Sequence, residues 1–197
     1  MKKNIGISYK AFAGILAAVL VLGGTIGGTM AWLIDGTDAV ANTFTYGDIN
    51  IGLEEKTGND YKIVPGVNIT KDPTVTVKAN SEDCWLFVKV AEENWPNEIL
   101  EEDGTTKKVA YSIADGWTAH EGASGVYYRQ VTDIDNDVSL EVLKDNQITV
   151  SDTLKKSEVN DVKAKTPKLT FTAYAVQMDS SDTAAKAWEK ACNSDLY

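Results

Sequence analysis

CWLFVKVA, residues 84–91, is apolar on both phases of a two-residue repeat: Cys84, Leu86, Val88 and Val90 alternate with Trp85, Phe87 and Ala91. A strand with one wet face alternates apolar with polar, whereas a strand apolar on both faces is packed from two sides. This segment is therefore expected to be the central strand of a sheet covered above and below.

Strand signals extend from it in both directions. Upstream, Asn80-Ser81-Glu82-Asp83 reads as a turn. Before it, YKIVPGVNITKDPTVTVKA (residues 61–79) supplies Ile63, Val67, Ile69, Val75 and Val77. Pro65-Gly66 and Asp72-Pro73 interrupt that run and mark turns or an edge strand, not a helix. Further back, NTFTYGDINIGLEE (residues 42–55) alternates with Phe44 and Tyr46 in one phase and Ile49, Ile51 and Leu53 in the other. A phase slip at Gly47-Asp48 is what a β-bulge within one strand would produce. Residues 56–60 are polar and hairpin-like.

Downstream, residues 92–118 are mostly connections: Trp95-Pro96, an acidic patch at Glu101-Glu102-Asp103-Gly104, and a short strand over Lys108–Ile113 before Asp115-Gly116-Trp117. GVYYRQV (125–131) reads as a strand, Asp133 to Asp137 as an acidic turn, and DNQITVSDTL (145–154) as a hairpin region. KLTFTAYAVQ (168–177) is the last long strand, with Leu169, Phe171, Ala173 and Ala175 facing one way. The period then changes: in SSDTAAKAWEKAC (180–192), Ala184, Ala187, Trp188 and Ala191 fall at helical spacing behind a Ser/Asp cap. Roughly eight short strands punctuated by turns give an all-β fold, an antiparallel β-sandwich closed by a short C-terminal helix.

The N-terminus is of another kind. Lys2, Lys3 and Lys10 precede the apolar run AFAGILAAVLVL (11–22), and small residues at Thr29 and Ala31 flank a cut that would leave Trp32 first. That is the grammar of a signal peptide over residues 1–31, preceding a mature domain of residues 32–197. The competing reading is a retained helical anchor, because no charge stands between Ala11 and Ile34. Cutting after Ala31 removes three lysines and no acid, which takes the net charge from −10 to −13. So acidic a surface repels nucleic acid and anionic lipid, so neither is expected as a partner. Contact with a membrane is expected only through an uncleaved N-terminal segment.

Candidate chemistry is sparse. His120-Glu121 begins like the zinc motif H-E-x-x-H, but Ser124 stands at its fifth position and flanking glycines oppose the helix that motif needs. With one histidine, expected in an exposed loop, and two distant cysteines, no catalytic set and no cofactor site is expected. Asp133, Asp135 and Asp137 are weak calcium candidates; Val138 stands where a calcium loop needs its glycine and Lys144 where it needs its glutamate. Cys84 and Cys192, an even pair in an exported chain, permit one disulfide and equally permit two thiols. Trp85 and Trp188 lie on periodic apolar faces and are expected in the core, while Trp95 and Trp117, near turns, are candidate surface contacts for a sugar.

Several of these stretches together resemble the TasA and camelysin family of secreted Gram-positive proteins released by the signal peptidase SipW. The resemblance is carried by a leader ending Gly-Gly-Thr-Met-Ala, then WLIDGTDAVANTFTYGDINIGL, VPGVNITKDPTVTVKANSEDCWLFVKV, and a closing LTFTAYAVQ followed by a helix with Ala187-Trp188. It is most specific at Asp35, Thr37, Asp38, Asn42, Thr43, Phe44 and Gly47, and the middle of the chain, residues 92–165, does not share it. The resemblance implies a jelly-roll sandwich and a subunit of biofilm-matrix or cell-surface fibres. Its implied partners are other copies of itself, head to tail, minor matrix or anchor proteins, and a SipW-type signal peptidase during export. Cutting would then act as a switch that frees a donor segment, residues 32–41, whose apolar Trp32, Leu33 and Ile34 complete the sheet of the next subunit. Two alternatives stand beside it. One is a membrane-tethered, monomeric adhesion or binding domain, and the other an exported camelysin-like protease, for which no matching residues are present.

Overall fold

The computed structural model describes residues 34–35, 43–46, 48–57 and 60–194. The chain divides into units of residues 1–33 and 34–197, and every described residue belongs to the second. The signal segment 1–31 with Thr29 and Ala31, the expected N-terminal helix, Trp32, Leu33, and Gly47 at the phase slip lie outside the described residues.

The described strands are β1 (Ile34–Asp35), β2 (Thr43–Tyr46), β3 (Ile51–Glu54), β4 (Asp60–Tyr61), β5 (Ile69–Thr70), β6 (Thr74–Val77) and β7 (Cys84–Glu93). After these come β8 (Val109–Ile113), β9 (Thr118–Ala119), β10 (Val126–Val131), β11 (Val138–Glu141), β12 (Leu143–Val150) and β13 (Lys168–Gln177). Helix α1 (Lys156–Lys165) precedes β13, and α2 (Ala184–Ser194) follows a 3-10 turn at Met178–Ser180.

The segment 84–91 is central, as its double phase requires. β7 lies in the middle of a five-stranded sheet ordered β2-β13-β7-β10-β9, paired antiparallel to β13 over ten residues and to β10 over six. One phase of β7, Cys84, Leu86, Val88 and Val90, enters a core shared with Phe171, Ala173 and Ala175 of β13 and with Ile51, Leu53, Val75, Val77 and Leu143 from two three-stranded sheets. Those two sheets are ordered β11-β6-β3 and β5-β12-β8. The other phase, Trp85 and Phe87, packs with Tyr174, Val176 and the alanines Ala184, Ala187 and Ala191 of α2. Alanines on the buried stripe let the helix approach the sheet closely, and the Trp85 indole donates to the Ser181 carbonyl at 2.9 Å, fixing the entry to α2. Each large side chain so buried contributes about 1.5–3 kcal/mol.

Three expectations change. The sheets are antiparallel with one exception: β2 runs parallel to β13, with Phe44 opposite Tyr174. The stretch 42–55 is not one bulged strand, because β2 and β3 belong to different sheets. The chain crosses between layers there, and crossing turns the apolar phase over just as a bulge would. The expected hairpin over 145–154 is for the most part the single strand β12, irregular in its pairing with β8 between Leu143 and Ile148, where Asp145 and Asn146 take positive φ of 56° and 51°. Helix α1, not anticipated, buries only Val159 and Val162. It starts with Glu158 accepting the Lys155 amide at 2.7 Å and ends at left-handed Thr166 before Pro167.

Candidate functional site

The segment expected to be donated is partly visible. Ile34 pairs with Tyr61 and Asp35 with Asp60, an antiparallel ladder of two rungs between β1 and β4 in the same chain. Ile34, one of the three residues of the expected donor strand, is thus paired within its own chain. A two-stranded ribbon this short has little stability of its own.

β4 follows a corner that is firmly held. Asp72 Oδ1 accepts the Lys56 amide at 3.1 Å, the Thr57 amide at 2.9 Å and the Thr57 hydroxyl at 2.7 Å. Burial works to raise the Asp72 carboxyl, but the hydrogen bonds from Thr57 and Lys56 bring it below its ordinary value. Beside it the Lys71 ammonium meets both oxygens of Glu55 at 2.7 and 2.8 Å, with both side chains 7% exposed. The ammonium also lies 5.5 Å from the Phe171 ring centroid, at the edge of the core.

Several strand edges carry no ladder partner among the described residues. β9 covers β10 only at Tyr127 and Tyr128, which leaves the outer side of Arg129–Val131 without a strand, and β11, β3, β5 and β8 are sheet edges.

The calcium candidates are not assembled. The Asp137 carboxylate is spent on the Ala79 amide at 2.9 Å and the Lys78 ammonium at 3.1 Å, which together hold its pKa below the ordinary value. Asp133, at φ 56°, donates its amide to Asp83, and Asp135 donates its amide to the Asp133 carbonyl. Among the described residues no group of three His, Cys, Asp or Glu is placed to hold a metal ion. These aspartates close the turn between β10 and β11.

Cys84 and Cys192 stand as separate thiols, the first buried and the second exposed. Burial, with the Asp83 charge adding to it, pushes the Cys84 thiol up to about 12, so it is no nucleophile at neutral pH. His120 is not an exposed loop residue. It is half-buried among Phe87, Tyr128 and Trp188, with ring centroids 6.5, 6.1 and 6.1 Å away, and its Nδ1 accepts the Gly122 amide at 3.1 Å. Trp85 is buried and Trp188 half-buried against Phe87 and Tyr174, as expected. Trp95 and Trp117 are not open platforms either. Trp95 packs edge-on against Tyr111 at 5.7 Å, and Trp117 lies against the main core with its indole donating to the Glu141 carbonyl at 2.9 Å.

One feature was missed by reading the sequence. Arg129, the only arginine in the chain, lines a cleft of about 320 Å³ with Asp115, Glu141, Lys144 and Asp145. Its isolation among so many lysines was the available signal.

No protein-family model matches this chain, and neither a curated protein nor a solved structure matches it. Among the described residues, no helix is long and apolar enough to cross a membrane.

Proposed function

We propose that the chain is a secreted structural subunit of an extracellular matrix or surface fibre, built on a jelly-roll-like sandwich and assembled head to tail by exchange of its N-terminal segment. The observation that carries this reading is the two-rung ladder between β1 and β4. A strand held in cis by two residues loses little on leaving, and the same two rungs can form with the β4 of a neighbouring copy. The exchange is then nearly neutral for the ladder itself, and residues 36–41 gain whatever new edge contacts the neighbour offers. Because each copy donates one segment and accepts another, the contact is heterologous and leads to an open filament.

The acidic surface supports an exported, self-spacing subunit: at −13 after cleavage, copies repel one another except where the strand exchange holds them. The sequence resemblance to TasA and camelysin supports the same reading, together with release by a SipW-type peptidase and no enzymatic role. The cis pairing of Ile34 also favours the second reading, a tethered monomer with its leading strand folded home. Electron microscopy of the exported protein beside a version lacking Trp32–Asp38 separates them. Filaments from the intact protein alone are expected, and filaments from both would remove the role assigned to the segment. Intact mass adds the second discriminator, since a mature N-terminus at Trp32 fits the fibre and retention of residues 1–31 fits the tether.

A further inference from the structure

We propose that the Arg129 cleft binds a small zwitterion of the amino-acid class, its carboxylate on the guanidinium and its ammonium toward Glu141 and Asp145. Arg129 lies on β10 opposite Leu86 of β7, so its backbone is fixed by the centre of the main sheet. Trp117 and Gly116 flank its guanidinium. The carbon Cζ lies 5.7 Å from the Trp117 ring centroid, and Gly116, at φ +88°, leaves the space that a side chain would take. A Cβ at Gly116 would fall 3.1 Å from Nη1 and 3.3 Å from Cζ and Nη2.

This arginine has no hydrogen-bond acceptor among the described residues. Its Nε is buried without a hydrogen-bond partner, and among the described residues no carboxylate comes within 4.0 Å of the guanidinium. Three carboxylates nevertheless line the same cleft. Asp115 reaches Lys144 at 4.0 Å, and Glu141 and Asp145 pair with no cation among the described residues. A cleft that keeps Arg129 of one sign and Glu141 and Asp145 of the other outside any ion pair among the described residues is complementary to a ligand carrying both. A planar guanidinium is the group suited to grip a carboxylate with two parallel hydrogen bonds. A volume of about 320 Å³ is at the small end of ligand sites and excludes a large cofactor. Lone carboxylates would meet repulsion from Glu141 and Asp145, and lone amines would meet Arg129 and Lys144, so neither half alone should bind well.

The test is a titration of the ¹⁵N-labelled full chain with each common amino acid, and with acetate and methylamine as single-charge controls. The Trp117 indole N–H, bonded to the Glu141 carbonyl on a ring whose centroid lies 5.7 Å from Arg129 Cζ, is the reporter. A saturable shift is expected for at least one amino acid, with both controls about tenfold weaker or more. Arg129→Gln should abolish it. Gly116→Ala, which displaces the guanidinium and keeps its charge, should weaken it about tenfold. Glu141→Gln should weaken amino-acid binding and leave acetate unchanged or improved. A variant is scored only when its amide spectrum shows the wild-type fold, and Glu141→Gln, at an exposed site, keeps the test alive if Arg129→Gln unfolds. No shift with any amino acid up to about 10 mM, beyond the millimolar class, overturns the proposal. So does acetate binding as tightly as the best amino acid, or full binding retained by a folded Arg129→Gln.

Discussion

Replacing Gly125 by alanine tests the packing of the central strands in the place where they come nearest. Gly125 has φ +72°, and its carbonyl accepts the Val90 amide at 2.8 Å, so the turn leading into β10 is bonded directly to β7. An added Cβ would lie 2.5 Å from the Val90 carbonyl oxygen, well inside contact, and the obstacle is backbone that cannot swing aside. Two costs follow. Holding an alanine in the left-handed region costs about 1–2 kcal/mol. Relieving the overlap requires β10 to move off β7, which forfeits or stretches a hydrogen bond worth about 0.5–1.5 kcal/mol and disturbs the packing of Val126 beside it. The sum is about 2–4 kcal/mol. For a domain of this size that corresponds to a fall in Tm of roughly 5–15 °C. Gly104 supplies the control: its φ is +69°, yet a Cβ there meets nothing within 4 Å. Gly104→Ala should show the conformational cost alone, about 1–2 kcal/mol. Thermal and urea unfolding of both variants give the difference. If the two lose equal stability, the close approach of Gly125 to Val90 has no energetic weight and the packing described for β7 and β10 is wrong.

Removing one partner of the Lys71–Glu55 pair, by Lys71→Met or Glu55→Gln, should cost about 3–5 kcal/mol in urea unfolding, because it breaks an ion pair whose two side chains are each only 7% exposed. Replacing both together should cost much less, and equal losses would count against the pair being desolvated. The Asp103 carboxyl is held down to about 2 by hydrogen bonds from the Thr106 hydroxyl and the Thr106 and Thr105 amides. Since its folded value is depressed, the turn it closes should be intact above the ordinary value of 3.8 and loosen as pH falls through about 2, as followed by the Thr106 amide resonance; a midpoint near 4 would contradict this. Under native conditions iodoacetamide should label Cys192 and spare Cys84 until the protein is unfolded, read by intact mass; a protein that resists both labels until reduced would instead carry the disulfide.

What was readable in the sequence follows the strength of each periodic signal. The double apolar phase of residues 84–91 located the central strand, and the change of period after Gln177 located α2, because both elements bury a continuous stripe. Helix α1 left no such stripe. It buries two valines three residues apart and rests on capping by Glu158 and on the buried Lys108 ammonium, 3.1 Å from both Glu158 oxygens. The slip at Gly47-Asp48 was visible, but one sequence cannot say whether a changed phase reflects an extra residue in a ladder or a strand passing to another layer. The tryptophans near turns were misjudged since a turn in sequence can lie over the core in space, as Trp117 does. The Arg129 cleft gathers residues from four stretches between Ala114 and Asp145, and no local pattern records such a meeting.

The parallel pairing of β2 with β13 bears on how the protein comes to be made. β13 stands between β2 and β7, so the earliest strand of the main sheet cannot find its neighbour until nearly the whole chain has emerged. Pairing across such a separation is entropically slow. The edge of the main sheet formed by β2 is therefore expected to close late in folding, after β7 and β13 have paired.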